Sequence, residues 1–438
     1  MGKTKDKDVS EAVQAELGLD QLMGYAAVKY AALLAGVLTI ALAAAACSSG
    51  SSSSSSSSTG VATSRAAAAA SKGTPIKVGL IGTLTGPEAP SNDQGATVAP
   101  AWADWINATG GIDGHPVKVI VLDDKNDPAT AQADEKQLAS DGVAAIVVIS
   151  DNLISAFDGA AIANGIPLIG GVSNEQDWYT KPGMFPTMTG IVNGETAQIG
   201  VAAQYGHAKK FADVYCVEVA ACAETNPTLA AAAKAAGIGY THLAISSTAP
   251  SYTAQCLQLQ QEKADYVQLN VGSAVGGRFI QSCQAQGYNP TWGASEQAIS
   301  AAFTSIPNLT MYGPAFAFPS VANAPLAATF REAMQKYAAN SNWREGTASF
   351  TWDGLQTLAQ AVGNEHVAAS APVTSAAVMT GLYSFKDENL GGELANKVTY
   401  PKSKAFGFTA NTCYFVVGVK NGQTIAPADL TPQCPAKP

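Results

Sequence analysis

The chain has 438 residues, of which 47% are hydrophobic and only 13% charged, with a formal net charge of −9. That balance describes a globular chain rather than a disordered one. It also weighs against nucleic acid as a partner, because neutralising phosphates needs clustered Lys and Arg, and no such cluster occurs. The length is too great for one ordinary hydrophobic core and suits two lobes.

The N-terminal region carries an unbroken apolar stretch, Ala31 to Ala46, that ends at Cys47 and is followed by a serine tract. The stretch is shorter than the ~20 residues needed to cross the hydrocarbon of a bilayer. It ends in small residues, as cleaved signals do. Residues 1–46 therefore read as a signal peptide in preference to a transmembrane anchor. Small residues and a cysteine closing a short hydrophobic segment resemble the leader of bacterial lipoproteins. The resemblance implies cleavage before Cys47, a lipid on its sulfur, and attachment to the outer face of the cytoplasmic membrane, within the cell envelope. Lys3, Lys5, Lys7 and Lys29 stand against Asp6, Asp8, Glu11, Glu16 and Asp20, so the leader is not a short basic one. A start at Met23 would restore a conventional length, with Lys29 as its basic residue. Residues 47–74 then form the lipidated cysteine and a Ser/Ala tether, almost without large apolar side chains and so expected to be flexible.

Ordered structure is predicted to begin with strand Ile76–Gly82, followed by a Gly/Pro loop from Thr83 to Gly95. A helix from Gln94 to about Ala108 carries Val98, Trp102, Trp105 and Ile106 on one face, with Pro100 a source of kinking. After Gly110-Gly111 and an Asp113-Gly114 turn comes strand Val117–Asp123. Asp127-Pro128 supplies an N-cap and a proline at the first helical position, opening a helix through Ala139. Strand Ala144–Ile149, a loop from Ser150 to Ser155, a helix to Asn164 and strand Ile166–Ile169 complete the first series. The second series starts near Gly190. It comprises helix Glu195–Tyr205, strand Phe211–Val217, helix Pro227–Ala236, strand Thr241–Ile245, helix Thr253–Lys263, strand Tyr266–Asn270 and helix Arg278–Gln286. A loop from Trp292 to Ala298, helices Ala324–Ala339 and Thr347–Val362, and strand Tyr414–Val419 follow. Apolar strands alternating with amphipathic helices define an α/β fold of parallel sheets with helices on both faces.

Six cysteines remain after Cys47, an even number that reads as disulfides in an exported protein. They fall into three local couples, predicted as Cys216–Cys222, Cys256–Cys283 and Cys413–Cys434. Structural zinc, the competing reading, lacks its usual Cys-x-x-Cys pairs, and no metal or cofactor is expected.

Three stretches carry a family likeness: VGLIGTLTGPEA at Val78–Ala89, INATGGIDGHPVKVI at Ile106–Ile120 and DDKNDPATAQADEKQLASDGVAAIV at Asp123–Val147. In this order and spacing they resemble type I periplasmic substrate-binding proteins that serve branched-chain amino acid ABC transporters. Fainter likeness runs through GIPLIGG at Gly165–Gly171, ADYVQLN at Ala264–Asn270 and GVKNGQTI at Gly418–Ile425. The resemblance implies two Rossmann-like lobes joined by a three-crossover hinge. Lobe 1 would take residues 75–188 and about 314–385, and lobe 2 residues 189–313 and about 386–438. A small amino acid or related polar organic acid would be captured in the cleft between them and passed to an ABC permease, the receptor acting as a monomer. Amides, urea-like compounds and aromatic acids suit relatives of this fold as well.

Strand ends mark the candidate site. Ser91 is read as a ligand contact or as a turn residue. Ser150, Asp151 and Asn152 follow the third strand, Asp151 either meeting a ligand ammonium or capping the next helix. Val172, Ser173 and Asn174 match the family's place for an amino acid's head group. In the second lobe Gly272 and Ser273 follow a strand, while the loop from Glu218 to Thr225 lacks the family's aromatic-glycine pattern. Glu296 lies, within a residue, where family members bind the ligand's ammonium, and a surface role is its alternative. Catalysis has little support: Gly-x-x-x-x-Gly-Lys-Ser/Thr, His-Glu-x-x-His, Gly-x-Ser-x-Gly and Gly-x-Gly-x-x-Gly are all missing. His115, His207, His242 and His366 sit beside turns or helix ends. A sensory receptor without a permease and an enzyme on the same lobes are the competing functions. Mass spectrometry of the native protein should find an acylated Cys47 as the first residue and no peptides from residues 1–22; recovering those peptides would exclude the Met23 start.

Overall fold

The computed structural model describes residues 72–86, 89–150, 153–188, 190–218, 221–402 and 412–435. All of them fall within the unit Ala66–Pro438. The expectations for the signal peptide, Cys47, the tether up to residue 71, Asp151 and Asn152 lie outside the described residues, whereas Gly73 and Thr74 at the end of the expected tether donate their amides to the Gly114 and Ala369 carbonyls.

The first sheet is wholly parallel, in the order β2-β1-β3-β4-β5, with β1 Ile76–Gly82, β2 Val117–Asp123, β3 Ala145–Ile149, β4 Leu168–Gly170 and β5 Met184–Pro186. β1 and β3 are nearly or fully buried along their lengths because helices cover both faces, the condition under which parallel strands read as continuous apolar runs. The helix Pro128–Asp141 is capped as the sequence specifies. Asp127 accepts a bond from the Thr130 amide, Pro128 takes the first position, and Gly142 closes the helix at φ 68°. Pro100 sits six residues into helix Gly95–Ala108.

The second sheet has the order β12-β11-β10-β9-β8-β6-β7. Its strands are β6 Lys210–Cys216, β7 Gly239–Ile245, β8 Tyr266–Asn270, β9 Thr291–Gly293, β10 Thr310–Ala315, β11 Phe415–Lys420 and β12 Gln423–Ile425. β6 to β10 run parallel, whereas β11 and β12 pair antiparallel at one edge. Four strands, the three-residue β5, β9 and β12 and the six-residue β10, were not legible as strands. β9, for instance, has only three residues, and the tryptophan taken for a loop, Trp292, is a buried member of it. The helix expected from Arg278 begins at Ser273, directly after β8, because Gly272 acts as its cap. A further helix, Ser375–Tyr383, packs beside Ala348–Glu365.

Helices Pro325–Tyr337 and Ala348–Glu365 pack on the first sheet and its helix Gly95–Ala108, although the chain reaches them from the second sheet. The chain therefore passes between the sheets three times: after β5, after β10, and between Tyr383 and β11. At the second passage Phe318 meets Phe330 edge-on at 5.3 Å, and Phe330 in turn meets Trp343 and Trp352 at 5.8 and 5.2 Å. Tyr400, on the third passage, donates to the Pro186 carbonyl at the end of β5. The passages are thus packed against the lobes by buried rings.

Two of the expected disulfides are formed, Cys256–Cys283 and Cys413–Cys434. The first joins two helices that flank β8, as their places in the sequence imply. The Cys222 side chain lies outside the described residues, so the Cys216–Cys222 couple stays an expectation. Peptide mapping without reduction should recover both formed bridges. Replacing Cys256 and Cys283 together by alanine should lower unfolding stability by about 2–4 kcal/mol in urea titrations.

Candidate functional site

Parallel strands deliver their carboxyl ends, and the loops that follow, to one edge of each sheet. On the first sheet, β3 ends at Ile149 and is followed by Ser150, β4 is followed by Gly171 and Val172, and Ser91 closes a short turn before helix Gly95–Ala108. The loops are tightly tied. Asp124 accepts from the Thr83 hydroxyl at 2.8 Å, from the Asn126 amide at 2.8 Å, and from the Ser150 hydroxyl. Ser150 is therefore a buried strut between β3 and the loop after β2, its proton already committed to a carboxylate.

The stretch Val172–Asn174 is similarly engaged. The Val172 amide donates to the Val148 carbonyl at 3.0 Å, and the Ser173 amide faces the Met188 sulfur at 3.1 Å. Tyr179 donates its hydroxyl to the Ser173 carbonyl at 2.8 Å. What remains is the Ser173 hydroxyl oxygen, buried and, among the described residues, without a hydrogen-bond partner. Asn174 is half-buried, and so is Ser91. Gly171, just before, is a position of close approach: a Cβ there would stand 2.7 Å from the Phe350 carbonyl. The absence of a side chain lets the start of helix Ala348–Glu365 press onto the loop after β4.

The facing edge belongs to the second sheet. Gly272 is exposed and Ser273 half-buried at the end of β8. Glu218 is spent on a local task, accepting from the Ser246 hydroxyl and the Ser247 amide to join the loops after β6 and β7. Glu296 follows β9 in a single turn, Glu296–Ala298. Contrary to a surface role, it is only 8% exposed. Its carboxylate accepts from the Ser349 hydroxyl at 3.2 Å and the Ala317 amide at 3.3 Å. Ser349 belongs to the helix packed on the first sheet, Ala317 to the second passage between the sheets, and Glu296 to the second sheet. One carboxyl thus ties both lobes and the hinge. Glu296 and Ile299 line a small cavity opposite Trp343, Arg344 and Ser349, and the Arg344 guanidinium lies 3.8 Å above the Trp343 ring.

Burial pushes the Glu296 carboxyl up to about 8, the Ala317, Ser349 and Phe316 hydrogen bonds pulling the other way. Among the described residues no Lys, Arg or His pairs with it, so the desolvation favours its protonated form. Its partners Ser349 and Ala317 were missed by sequence reasoning. They lie 53 and 21 residues away in the chain, and no local pattern marks them. Among the described residues no group of three or more His, Cys, Asp or Glu could hold a metal ion, and no helix is long and apolar enough to cross a membrane. His115 is structural, its two ring nitrogens facing the Thr74 and Val367 carbonyls.

Comparison with known proteins bears on this architecture. Residues 75–424 match the sequence profile of a family described as periplasmic binding protein. A 72-residue stretch is 36% identical to the Leu/Ile/Val-binding protein of Escherichia coli K12, covering 16% of this chain and 20% of that protein. The Leu/Ile/Val/Thr-binding protein of Salmonella typhimurium matches with the same identity and coverage. The matching stretch thus spans about a fifth of the length of these curated relatives. Among solved structures, a branched-chain amino acid ABC transporter protein from Thermus thermophilus with bound valine superposes with a TM-score of 0.67 at 14% identity, over 83% of this chain and 97% of its own. A fatty acid ABC transporter substrate-binding protein from Thermomonospora curvata gives 0.64 at 16% identity, over 81% and 92%. At these identities the likeness is one of fold.

A carboxyl whose folded pKa is raised binds more protons in the native than in the unfolded state, so its contribution to stability falls as pH rises between the two values. For Glu296 that window runs from 4.5 to about 8. Thermal midpoints of the unliganded protein should therefore show a smaller decline across it in Glu296→Gln than in the wild type, with the variant the more stable of the two above the window.

Proposed function

The chain belongs to the periplasmic binding protein family, and on that premise we propose that it is an extracytoplasmic solute receptor that captures a small amino acid or related polar organic acid between its lobes for an ABC importer. The observation that carries this reading is Glu296. A buried carboxyl without a cation, set between the two lobes, is suited to an ammonium group supplied by the ligand. The ammonium would draw the glutamate into its ionised form and release its proton. Closure is then a population shift, because a ligand that touches both lobes binds the closed state better than the open one. The Ser173 hydroxyl and the loops holding Ser91, Asn174, Gly272 and Ser273 are the polar groups at the strand ends that would meet the rest of the ligand.

The relatives named for leucine, isoleucine and valine support an amino acid as the ligand class, and the fatty-acid protein of the same fold warns that the fold alone selects none. Nothing in the reading calls for turnover of the ligand. The leader and Cys47 support a lipid anchor that would keep the receptor beside its permease, with residues 48–74 as the tether.

A thermal-shift screen of amino acids, amides and aromatic acids should find a compound that raises the midpoint as RT ln(1 + [L]/Kd). Calorimetry of that compound in buffers of different ionisation enthalpy should register proton release on binding. Glu296→Gln should weaken it by about 1.5–3 kcal/mol, the range for a hydrogen bond to a charged group. Affinity unchanged in the variant, or no binding by the whole panel, would refute the role given to this carboxyl.

A further inference from the structure

A second pair of acids is shut into the hinge. Asp353 stands one turn beyond Ser349 on helix Ala348–Glu365, and Glu393 lies on the third passage between the lobes. They are 2% and 4% exposed, and their carboxyls are hydrogen-bonded to each other. The Gln356 side chain also bonds to Glu393, and its Oε1 accepts from the Trp102 indole N–H at 2.9 Å. Among the described residues no N–H or hydroxyl donor reaches Oδ1 of Asp353 or Oε1 of Glu393. The charged group facing Asp353 besides Glu393 is Glu296. Among the described residues no lysine, arginine or histidine pairs with either acid.

Two carboxylates cannot share a contact away from water without a cation or a proton between them, because both the desolvation and the mutual repulsion oppose the second charge. A proton on Asp353 removes the repulsion and supplies the donor for an O–H···O bond to Glu393. The contact then ties the third passage to the very helix whose first turn presents Ser349 to Glu296.

We propose that Asp353 and Glu393 hold one proton between them and act as positioning residues, a carboxyl latch that fixes the hinge and keeps Ser349 in register with the cleft glutamate. The pair titrates as a unit. Burial drives both carboxyls up, Glu393 to about 7 and Asp353 well above its ordinary value. The native state therefore holds protons that the unfolded chain releases, and the latch weakens as pH rises from the ordinary carboxylate range toward and past neutrality. The consequence for ligand capture rests on the reading of Glu296 above: an ionised Glu296 facing Asp353 would strengthen the latch's hold on its proton. The latch itself does not depend on any ligand.

The test therefore uses unliganded full-length mature protein in a Glu296→Gln background, so that the cleft glutamate is silent. Infrared spectra near neutral pH should contain protonated-carboxyl absorption that loses intensity when Asp353→Asn is added. The pH dependence of the thermal midpoint should flatten in the same variant, since an asparagine amide donates to ionised Glu393 at every pH. Glu393→Gln should produce both effects and serves as the second variant if Asp353→Asn does not fold. Unchanged infrared intensity, or a midpoint profile parallel to that of the background, in whichever variant folds would overturn the proposal. Neither result depends on whether an amino acid binds.

Discussion

Burying a carboxyl between two bodies of one chain is the constraint on which this structure turns. Glu296 is buried with no ion-pair partner among the described residues, and a serine hydroxyl and a backbone amide donate to it, while burial favours its protonated form. Such a site is poorly balanced by itself and well balanced once a donor-rich group enters. The rest of the molecule can be understood as the apparatus that brings those three partners to one point from three parts of the chain.

That apparatus is built from parallel sheets. Parallel order forces each strand to be followed by a crossover, so all the loops with chemistry to offer gather at one edge. The first sheet spends most of its loop groups internally. Asp124 gathers Thr83, Asn126 and Ser150, and Val172 extends the ladder from β3. The outcome is a rigid rim with few groups left over, the Ser173 hydroxyl among them. The second sheet is held to the first by aromatic edges at one passage and by the Tyr400–Pro186 bond at another.

Much of this was legible residue by residue. β1, β2 and β8 fall where periodicity and apolar content put them, and the Asp127-Pro128 cap opens its helix as its chemistry requires. The cysteines at 256 and 283 declared their partnership because the helices around β8 bring them together. What escaped was short or remote. β5 and β9 have three residues each, too few for a pattern, and Gly272 hid a helix start five residues before the periodic signal became clear. At the site, the hydroxyl of Ser150 donates to Asp124, a partner 26 residues away that no local spacing marks.

The amino-acid sequence by itself determined the alternation of strands and helices, the caps and turns, the couples Cys256–Cys283 and Cys413–Cys434 and the family likeness, because those are encoded within one element or between near neighbours in the chain. Only the tertiary structure decided that Glu296 is buried rather than exposed, that Ser349 and Ala317 are its partners, and that Asp353 and Glu393 are pressed together in the hinge. The reason is physical: desolvation and carboxyl–carboxyl contact are properties of where the chain returns in space, and three passages between two lobes bring together residues that no local pattern relates.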